Sequence, residues 1–331
     1  MPSELMHAIV VDRWGGPEAL TWCETPMPRP SADECLVKVE AAGVNFADLQ
    51  MCAGRYRSVA LPFIPGLEVA GVVAACGPAV TRFRAGDRIV ALMGQGGYAE
   101  YATALEARAM FLPARWDAQQ GAAFLMVFLT AYHALTTLGR LQAGESVLIH
   151  AAAGGVGSAA VQLAKAVGAV VLGTVSRPEK AERLRALSID RVIDYSTGAF
   201  ADDVLRATDD RGVDLVLDSV GGSVFRESLR CLAPRGRLVG FGAASGEPGQ
   251  VLISDLQSKN LTVSGLGSTA MAREPGATKA ALAALMPLVE SERIAPVIGE
   301  RFPLPEAAQA HALIASRRSV GKILLIPPHH A

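Results

Sequence analysis

The sequence predicts an α/β protein of two domains, one a doubly wound parallel sheet and the other a β-rich unit. Three observations carry this. The 331 residues are 50% apolar and only 19% charged, a composition that suits strands buried on both faces and excludes a disordered, solvating chain. From about 126 to 262 the chain repeats strand, turn, helix, strand, the rhythm of right-handed βαβ units. Within that stretch, Ala151-Ala152-Ala153-Gly154-Gly155-Val156-Gly157 directly follows an apolar strand and opens a helix.

Length gives the domain count, since 331 residues at about 150 per domain make two. A formal charge of −1 leaves no basic excess for nucleic acid or anionic lipid, so neither is expected as a partner. The longest apolar run, 122–130 (AAFLMVFLT), falls well short of the roughly 18–20 residues of a spanning helix, so no membrane association is expected. The opening MPSELMHAIVVDRW has no basic region followed by a long apolar one, which predicts a cytoplasmic protein. Five cysteines, at 23, 35, 52, 76 and 231, form no CxxC pair, against both a disulfide framework and a structural zinc lobe.

The elements follow in order. Residues 1–125 hold short β-like runs at 7–12 (HAIVVD), 34–41 (ECLVKVEA), 69–75 (VAGVVAA) and 87–92 (DRIVAL), separated by Gly, Pro and Asp, and read as an antiparallel β unit. Residues 126–262 hold strands at 146–150, 170–175, 191–194, 213–218 and 236–241, with helices at 158–167, 178–186, near 201–207 and near 222–231. Residues 263–331 hold helices near 277–290 and 305–315 and a terminal strand at 322–326, which is expected to rejoin the first domain.

The Ala151–Gly157 turn carries the chemistry. Its AxxGxxG spacing leaves no side chain at Gly154 and Gly155, where a backbone approaches a diphosphate, and Gly157 permits close packing of helix on strand. The helix start then presents unpaired N–H groups to the phosphates. Ala153 and Val156 belong to the same turn. An NAD-type site has Asp or Glu about 20 residues on, for the ribose hydroxyls. Here the second strand runs out at Val175-Ser176-Arg177, with Lys180 close behind and no carboxylate at the tip. A hydroxyl and two cations suit a 2′-phosphate, which predicts NADPH. Tyr195, after the third strand, either stacks near the adenosine or is ordinary packing. Two later strand ends, at Asp218-Ser219-Val220 and Phe241-Gly242, also aim at a bound nucleotide, because ligands sit beyond the carboxyl ends of parallel strands.

The chain as a whole resembles one family. Ala42-Gly43-Val44-Asn45-Phe46-Ala47-Asp48, Arg55-Tyr56, Leu61-Pro62-Phe63-Ile64-Pro65-Gly66-Leu67-Glu68, Gly86-Asp87-Arg88, Thr130-Ala131-Tyr132, the AAGGVG turn and Gly321-Lys322 stand in the order found in zinc-free, NADPH-dependent quinone oxidoreductases, the zeta-crystallin-like medium-chain dehydrogenases/reductases. The resemblance implies a GroES-like catalytic domain closed by both termini, a Rossmann domain between them, an active site in the cleft between the two, and a homodimer. Zinc alcohol dehydrogenases of the same superfamily carry Cys and His ligands where this chain has Asn45 and Leu67. Leucine does not ligate and Asn is a poor zinc ligand, so no metal is expected, and Glu68 reads as a structural or hydrogen-bonding carboxylate.

Without a Lewis acid the chemistry favours a substrate that delocalises negative charge itself, a small-molecule quinone or α,β-unsaturated carbonyl that takes hydride from NADPH. Asn45 either donates to the substrate oxygen or cofactor carboxamide, as the resemblance implies, or caps the helix that follows it. Asp48 either orients Asn45 or Arg55 or is a helix-surface carboxylate. Tyr56, a cleft tyrosine by resemblance, either donates to the substrate oxygen or packs, and Thr130 resembles a nicotinamide contact. His150, ending a buried strand, reads as a core histidine. Two other functions remain open: an enoyl-thioester reductase, and an NADPH-binding protein without significant turnover.

Overall fold

Alternating apolar residues draw the first part of the chain into antiparallel strands. The computed structural model describes residues 5–56, 59–194, 200–267, 271, 274 and 276–328. β1 (Leu5–Val11) and β2 (Leu20–Pro26) form a two-stranded ribbon. β3 (Glu34–Val44) leads into α1 (Phe46–Cys52), and β4 (Glu68–Cys76), β5 (Arg88–Leu92), β6 (Tyr101–Leu105) and β7 (Ala109–Phe111) follow. Two helices, α2 (Ala118–Ala122) and α3 (Leu125–Tyr132), lead out of this unit.

The second unit alternates strand and helix as expected. β8 (Ser146–Ile149), α4 (Gly155–Val167), β9 (Val170–Val175), α5 (Ala181–Arg185), β10 (Arg191–Asp194) and α6 (Ala201–Ala207) come first. β11 (Val213–Asp218), α7 (Gly222–Arg230), β12 (Leu232–Gly240), α8 (Ile253–Gln257), β13 (Thr262–Gly265) and α9 (Ala277–Glu290) complete it. The six strands lie in the order β10-β9-β8-β11-β12-β13, parallel throughout. The order reverses between β8 and β11, and this switch point is where doubly wound sheets hold ligands. Leu148, Leu172, Phe200, Val216 and Leu238 are buried in its core. Gly168 ends α4 in the left-handed region (φ 89°), the conformation that lets a helix stop in one residue.

The chain then returns. β14 (Ile298–Pro303), α10 (Ala307–Ala315) and β15 (Lys322–Ile326) join the first unit. β15 runs between β14 and β3 in a seven-stranded sheet, pairing Ile323 with Val44 and Leu325 with Ala42. Val37, Val69, Ile89, Leu325, Ala307 and Ala310 share its core.

By its contacts the chain divides into 1–126 with 296–331, and 127–295. The sequence reading set the breaks at 125/126 and 262/263. The second moves because β13 adds an edge strand to the parallel sheet. Beyond it, Gln162 on α4 exchanges hydrogen bonds with the Ala295 backbone at 3.0 and 2.9 Å. Residues 263–295 therefore stay with the parallel sheet. β12 begins four residues earlier than the expected strand, since Arg235 takes a left-handed turn (φ 63°) inside it without ending the pairing.

Candidate active site

In the parallel-sheet unit, the Ala151–Gly157 turn joins β8 to α4. Ala152 N–H donates to the Thr174 carbonyl of β9 at 3.2 Å, which fixes the turn against the neighbouring strand. Ala153 is buried. Gly154 is the N-cap of α4 and no side chain caps the helix, so its first-turn N–H groups at Gly155, Val156 and Gly157 point out of the helix start. A Cβ on Gly154 would have a single neighbour within 4 Å, a tight contact with the Ala151 carbonyl oxygen at 3.3 Å. A Cβ on Gly157 would lie 2.3 Å from the Ala151 oxygen and 2.6 Å from Ala152 Cα, too close for any side chain. The turn thus has the open face and the tight base that a diphosphate cradle needs.

The strand ends beside it converge. Ser176, Arg177 and Lys180 follow β9, with Arg177 exposed and Lys180 half-buried. Burial, then the nearby Arg177 guanidinium, pulls the Lys180 ammonium below its usual pKa. Two cations that repel each other across one strand tip suit an anion. Beyond β11, the buried Asp218 carboxylate accepts the N–H groups of Val220 at 2.7 Å and Gly221 at 3.1 Å, while burial raises its pKa. The loop after β12 is tied to this turn: Phe241 N–H donates to the Asp218 carbonyl at 2.9 Å and Ala244 N–H to the Ser219 carbonyl at 3.1 Å. A Cβ on Gly242 would sit 2.8 Å from that Ser219 oxygen, which is why the close approach takes glycine. Ser219, Val220, Phe241 and Gly242 are therefore brought together. Thr130 is partly exposed on α3. Tyr195 lies outside the described residues. His150 is a core histidine: Nδ1 meets Thr174 Oγ1 at 3.0 Å, Nε2 meets Ser228 Oγ at 2.8 Å, and burial drives its pKa to about 3.

In the β-rich unit, the antiparallel register of β15 on β3 carries Lys322 beside Asn45. Lys322 is buried, and its ammonium donates to Asn45 Oδ1 and pairs with Glu68 Oε1. An ammonium has donors only, so the amide must turn its oxygen to Lys322 and its nitrogen to acceptors. Asn45 Nδ2 accordingly donates to Glu68 Oε1 at 3.2 Å and to the Gly43 carbonyl at 3.3 Å. The Met126 N–H donates to Glu68 Oε2 at 3.0 Å. Asn45 is the N-cap residue of α1 and forms a capping box with Asp48, whose carboxylate accepts the Asn45 N–H. The cap reading holds, and the amide is not an uncommitted donor, since Lys322 and Glu68 engage it.

Asp48 is corrected more sharply, because it is fully buried and not a helix-surface carboxylate. It accepts the Asn45 N–H at 2.8 Å and the Gly66 N–H at 3.2 Å. Burial outweighs these bonds and the Lys322 charge, and pushes its pKa up to about 6. The Tyr98 oxygen lies 3.2 Å from His311 Nε2. Burial holds His311 neutral, with its pKa lowered to about 4. Tyr56 is half-buried against Met51, Cys52, Phe63, Leu67 and Met126. Burial first, and then the Asp48 charge, raise the pKa of its phenol.

Sequence reasoning passed over Lys322 and Glu68 as site residues, and did not single out Tyr98 or His311. One signal was available for Lys322: a lysine heading the apolar strand KILLI is buried only with a partner. Tyr98 and His311 come together through tertiary packing and left no local pattern.

A zinc centre does not fit here. Leu67 offers hydrocarbon, and the oxygens of Asn45 and Glu68 are already held by an ammonium. Among the described residues no three His, Cys, Asp or Glu side chains are grouped to hold a metal.

Comparison with known proteins places these features. Residues 31–114 match the family model of the alcohol dehydrogenase GroES-like domain, and residues 187–325 match that of the zinc-binding dehydrogenases. The chain is 41% identical to the quinone oxidoreductase of Pseudomonas aeruginosa, over 95% of this chain and 97% of that one. It is 35% identical to the quinone oxidoreductase of Sus scrofa, over 98% of each. The crystal structure of Escherichia coli quinone oxidoreductase complexed with NADPH superposes with a TM-score of 0.92 at 34% identity, covering 97% of this chain and all of that one. At that identity and coverage, the chain belongs to the quinone oxidoreductase family of medium-chain dehydrogenases/reductases.

Proposed function

We propose that this protein is an NADPH-dependent reductase that transfers hydride to a quinone or an α,β-unsaturated carbonyl without a metal. The observation that carries the reading is the Gly154–Gly157 cradle at the head of α4, with Arg177 and Lys180 in place of a carboxylate at the tip of β9. Bound NADPH supplies the hydride. The N–H groups of the α4 first turn receive its diphosphate, and Ser176, Arg177 and Lys180 hold the 2′-phosphate by charge-assisted bonds. The paired loops at Ser219–Val220 and Phe241–Gly242, with Thr130, line the nicotinamide half.

In the β-rich unit, Tyr56 is the donor to the substrate oxygen, where charge develops on reduction. Its raised pKa keeps the phenol protonated at neutral pH. Asn45 and Asp48 position the start of α1, and Asn45 is itself held by Lys322 and Glu68. Zinc independence rests on the unsuitable ligand set. We also propose a cytoplasmic homodimer. β13 is an edge strand of the parallel sheet, and Leu252 and Ile253 are 69% and 72% exposed, apolar area that a second copy would cover.

The test is NADPH oxidation by the purified protein against a panel of quinones, enones and acyl thioesters, before and after exhaustive chelation. Turnover of quinones or enones that survives chelation supports the reading. Preference for thioesters, NADPH binding without turnover, or activity lost on chelation and restored by zinc would overturn it.

A further inference from the structure

β3 and β4 bring together two thiols that no step above uses. Cys35, at the start of β3, stands opposite Cys76, at the end of β4, in the antiparallel register, with their Sγ atoms 3.6 Å apart. The next pair along is hydrogen-bonded, since Gly77 N–H donates to the Glu34 carbonyl at 2.8 Å. By the alternation of antiparallel ladders, 35 and 76 are then a non-hydrogen-bonded pair, with Cα atoms about 4.5 Å apart. That separation is within the range disulfides span, so joining the sulfurs asks mainly for side-chain movement to about 2 Å. All five cysteines are free thiols, and this is the one thiol–thiol contact among the described residues.

The two differ in a way that orders the chemistry. Cys35 is fully buried, and burial, the Cys76 contact and the Glu106 and Asp87 carboxylates push its thiol pKa up, which keeps it protonated and unreactive by itself. Cys76 is partly exposed, with its Sγ 3.5 Å from the Phe83 carbonyl, and of the two it stands nearer to solvent.

We propose that Cys35 and Cys76 are an oxidisable pair that closes to an intramolecular disulfide when the protein meets a hydroperoxide. In the first step the Cys76 sulfur attacks the O–O bond, giving Cys76 sulfenic acid and water from hydrogen peroxide. In the second the Cys35 sulfur displaces the hydroxyl of that sulfenic acid, forming the S–S bond and releasing a second water. The two thiols lose two electrons and two protons, and the peroxide takes them up. The bond would enclose residues 36–75, the stretch that holds Asn45, Asp48, Tyr56 and Glu68, at the end of β3 and β4 away from those side chains. Oxidation is therefore expected to raise the thermal midpoint by restricting the unfolded chain, while leaving NADPH affinity unchanged.

The test treats the reduced full-length protein with hydrogen peroxide and follows it by intact mass and by non-reducing peptide mapping. The expected result is a loss of two hydrogen masses, a single cross-linked peptide joining 35 to 76, and reversal by a dithiol reductant. Cys76→Ser should lower the yield at least about tenfold, and so should Cys35→Ala, which also leaves Cys76 as a trappable sulfenic acid. Cys35→Ala keeps the buried site apolar, and the wild-type map stands without either variant. A disulfide involving Cys23, Cys52 or Cys231, Cys76 driven to sulfinic acid with Cys35 still alkylatable, or no loss of free thiols would each overturn the proposal.

Discussion

Lys322 and Glu68 form an ion pair from which water is almost wholly excluded, the lysine 2% and the glutamate 0% exposed at their side chains. Removing one partner leaves the other charge buried and alone, which costs about 3–5 kcal/mol. Lys322→Met and Glu68→Gln should each destabilise the β-rich unit by about that much, and the Lys322→Met/Glu68→Gln double variant by clearly less than the two single costs added. Trp14, Trp22 and Trp116 all lie in this unit, so tryptophan fluorescence in urea reads its unfolding alone. Additive costs would show that the pair is not coupled.

Asp48 carries a pH signature of opposite sign to the usual carboxylate. Its folded pKa, about 6, is above the ordinary value of 3.8. Between these values the folded state holds a proton that the unfolded state has lost, so its contribution to stability falls as pH rises from 3.8 to 6. The fall amounts to about 3 kcal/mol. Asp48→Asn should remove it: in urea titrations the stability difference between variant and wild type should shift by about that amount, in favour of the variant, from pH 4 to pH 7. A constant difference would contradict the buried, protonated carboxyl.

His311 acts in the other direction. Its folded pKa of about 4 is below the ordinary value of 6.5, so it stays neutral in the fold while the unfolded chain takes up a proton. Its contribution is complete above pH 6.5 and is lost as pH falls toward 4, by about 3 kcal/mol. His311→Gln should flatten this acid limb, read by the same fluorescence. A limb of unchanged slope would mean that His311 is not held neutral.

Gly157→Ala places a methyl group 2.3 Å from a backbone oxygen that has no room to retreat. The cradle must distort, and NADPH affinity should fall at least about tenfold. Gly265→Ala, whose Cβ meets nothing within 4 Å, is the control and should bind NADPH as wild type does. Fluorescence titration with NADPH checks both.

Lys180→Ala tests the choice of cofactor. If Arg177 and Lys180 share the 2′-phosphate, the parent protein should bind NADPH at least about tenfold more tightly than NADH, and the variant should narrow that gap without weakening NADH. Equal affinities in the parent protein would remove the 2′-phosphate from the argument.

Local pattern made the parallel-sheet unit readable. Strand 213–218 and the helices near 201–207 and 277–290 were legible from apolar periodicity and fall where expected. The Ala151–Gly157 turn was legible because its chemistry is carried by consecutive residues. The β-rich unit hid more, because its polar cluster is assembled from α1, the heads of β4 and β15, and α10, which are distant in sequence. Asp48 shows why: three residues after Asn45 it has the spacing of a capping partner, but nothing nearby in sequence announces that Gly66 and Tyr98 will bury it. Asn45 was singled out correctly as a polar residue of interest. Its hydrogen bonds followed only once Lys322 was known to lie beside it.

The pairing of β15 with β3 has a consequence for biosynthesis. Residues 127–295 are contiguous, so the parallel-sheet unit is complete as soon as they leave the ribosome. The β-rich unit must wait. Until β15 emerges, the Ala42–Val44 edge of β3 has no partner on that side and Glu68 has no counter-charge. A nascent chain stalled just short of Lys322 should therefore display an open strand edge, the kind of surface that chaperones capture and that neighbouring chains join. β15, made after the whole parallel-sheet unit, closes a unit begun before it.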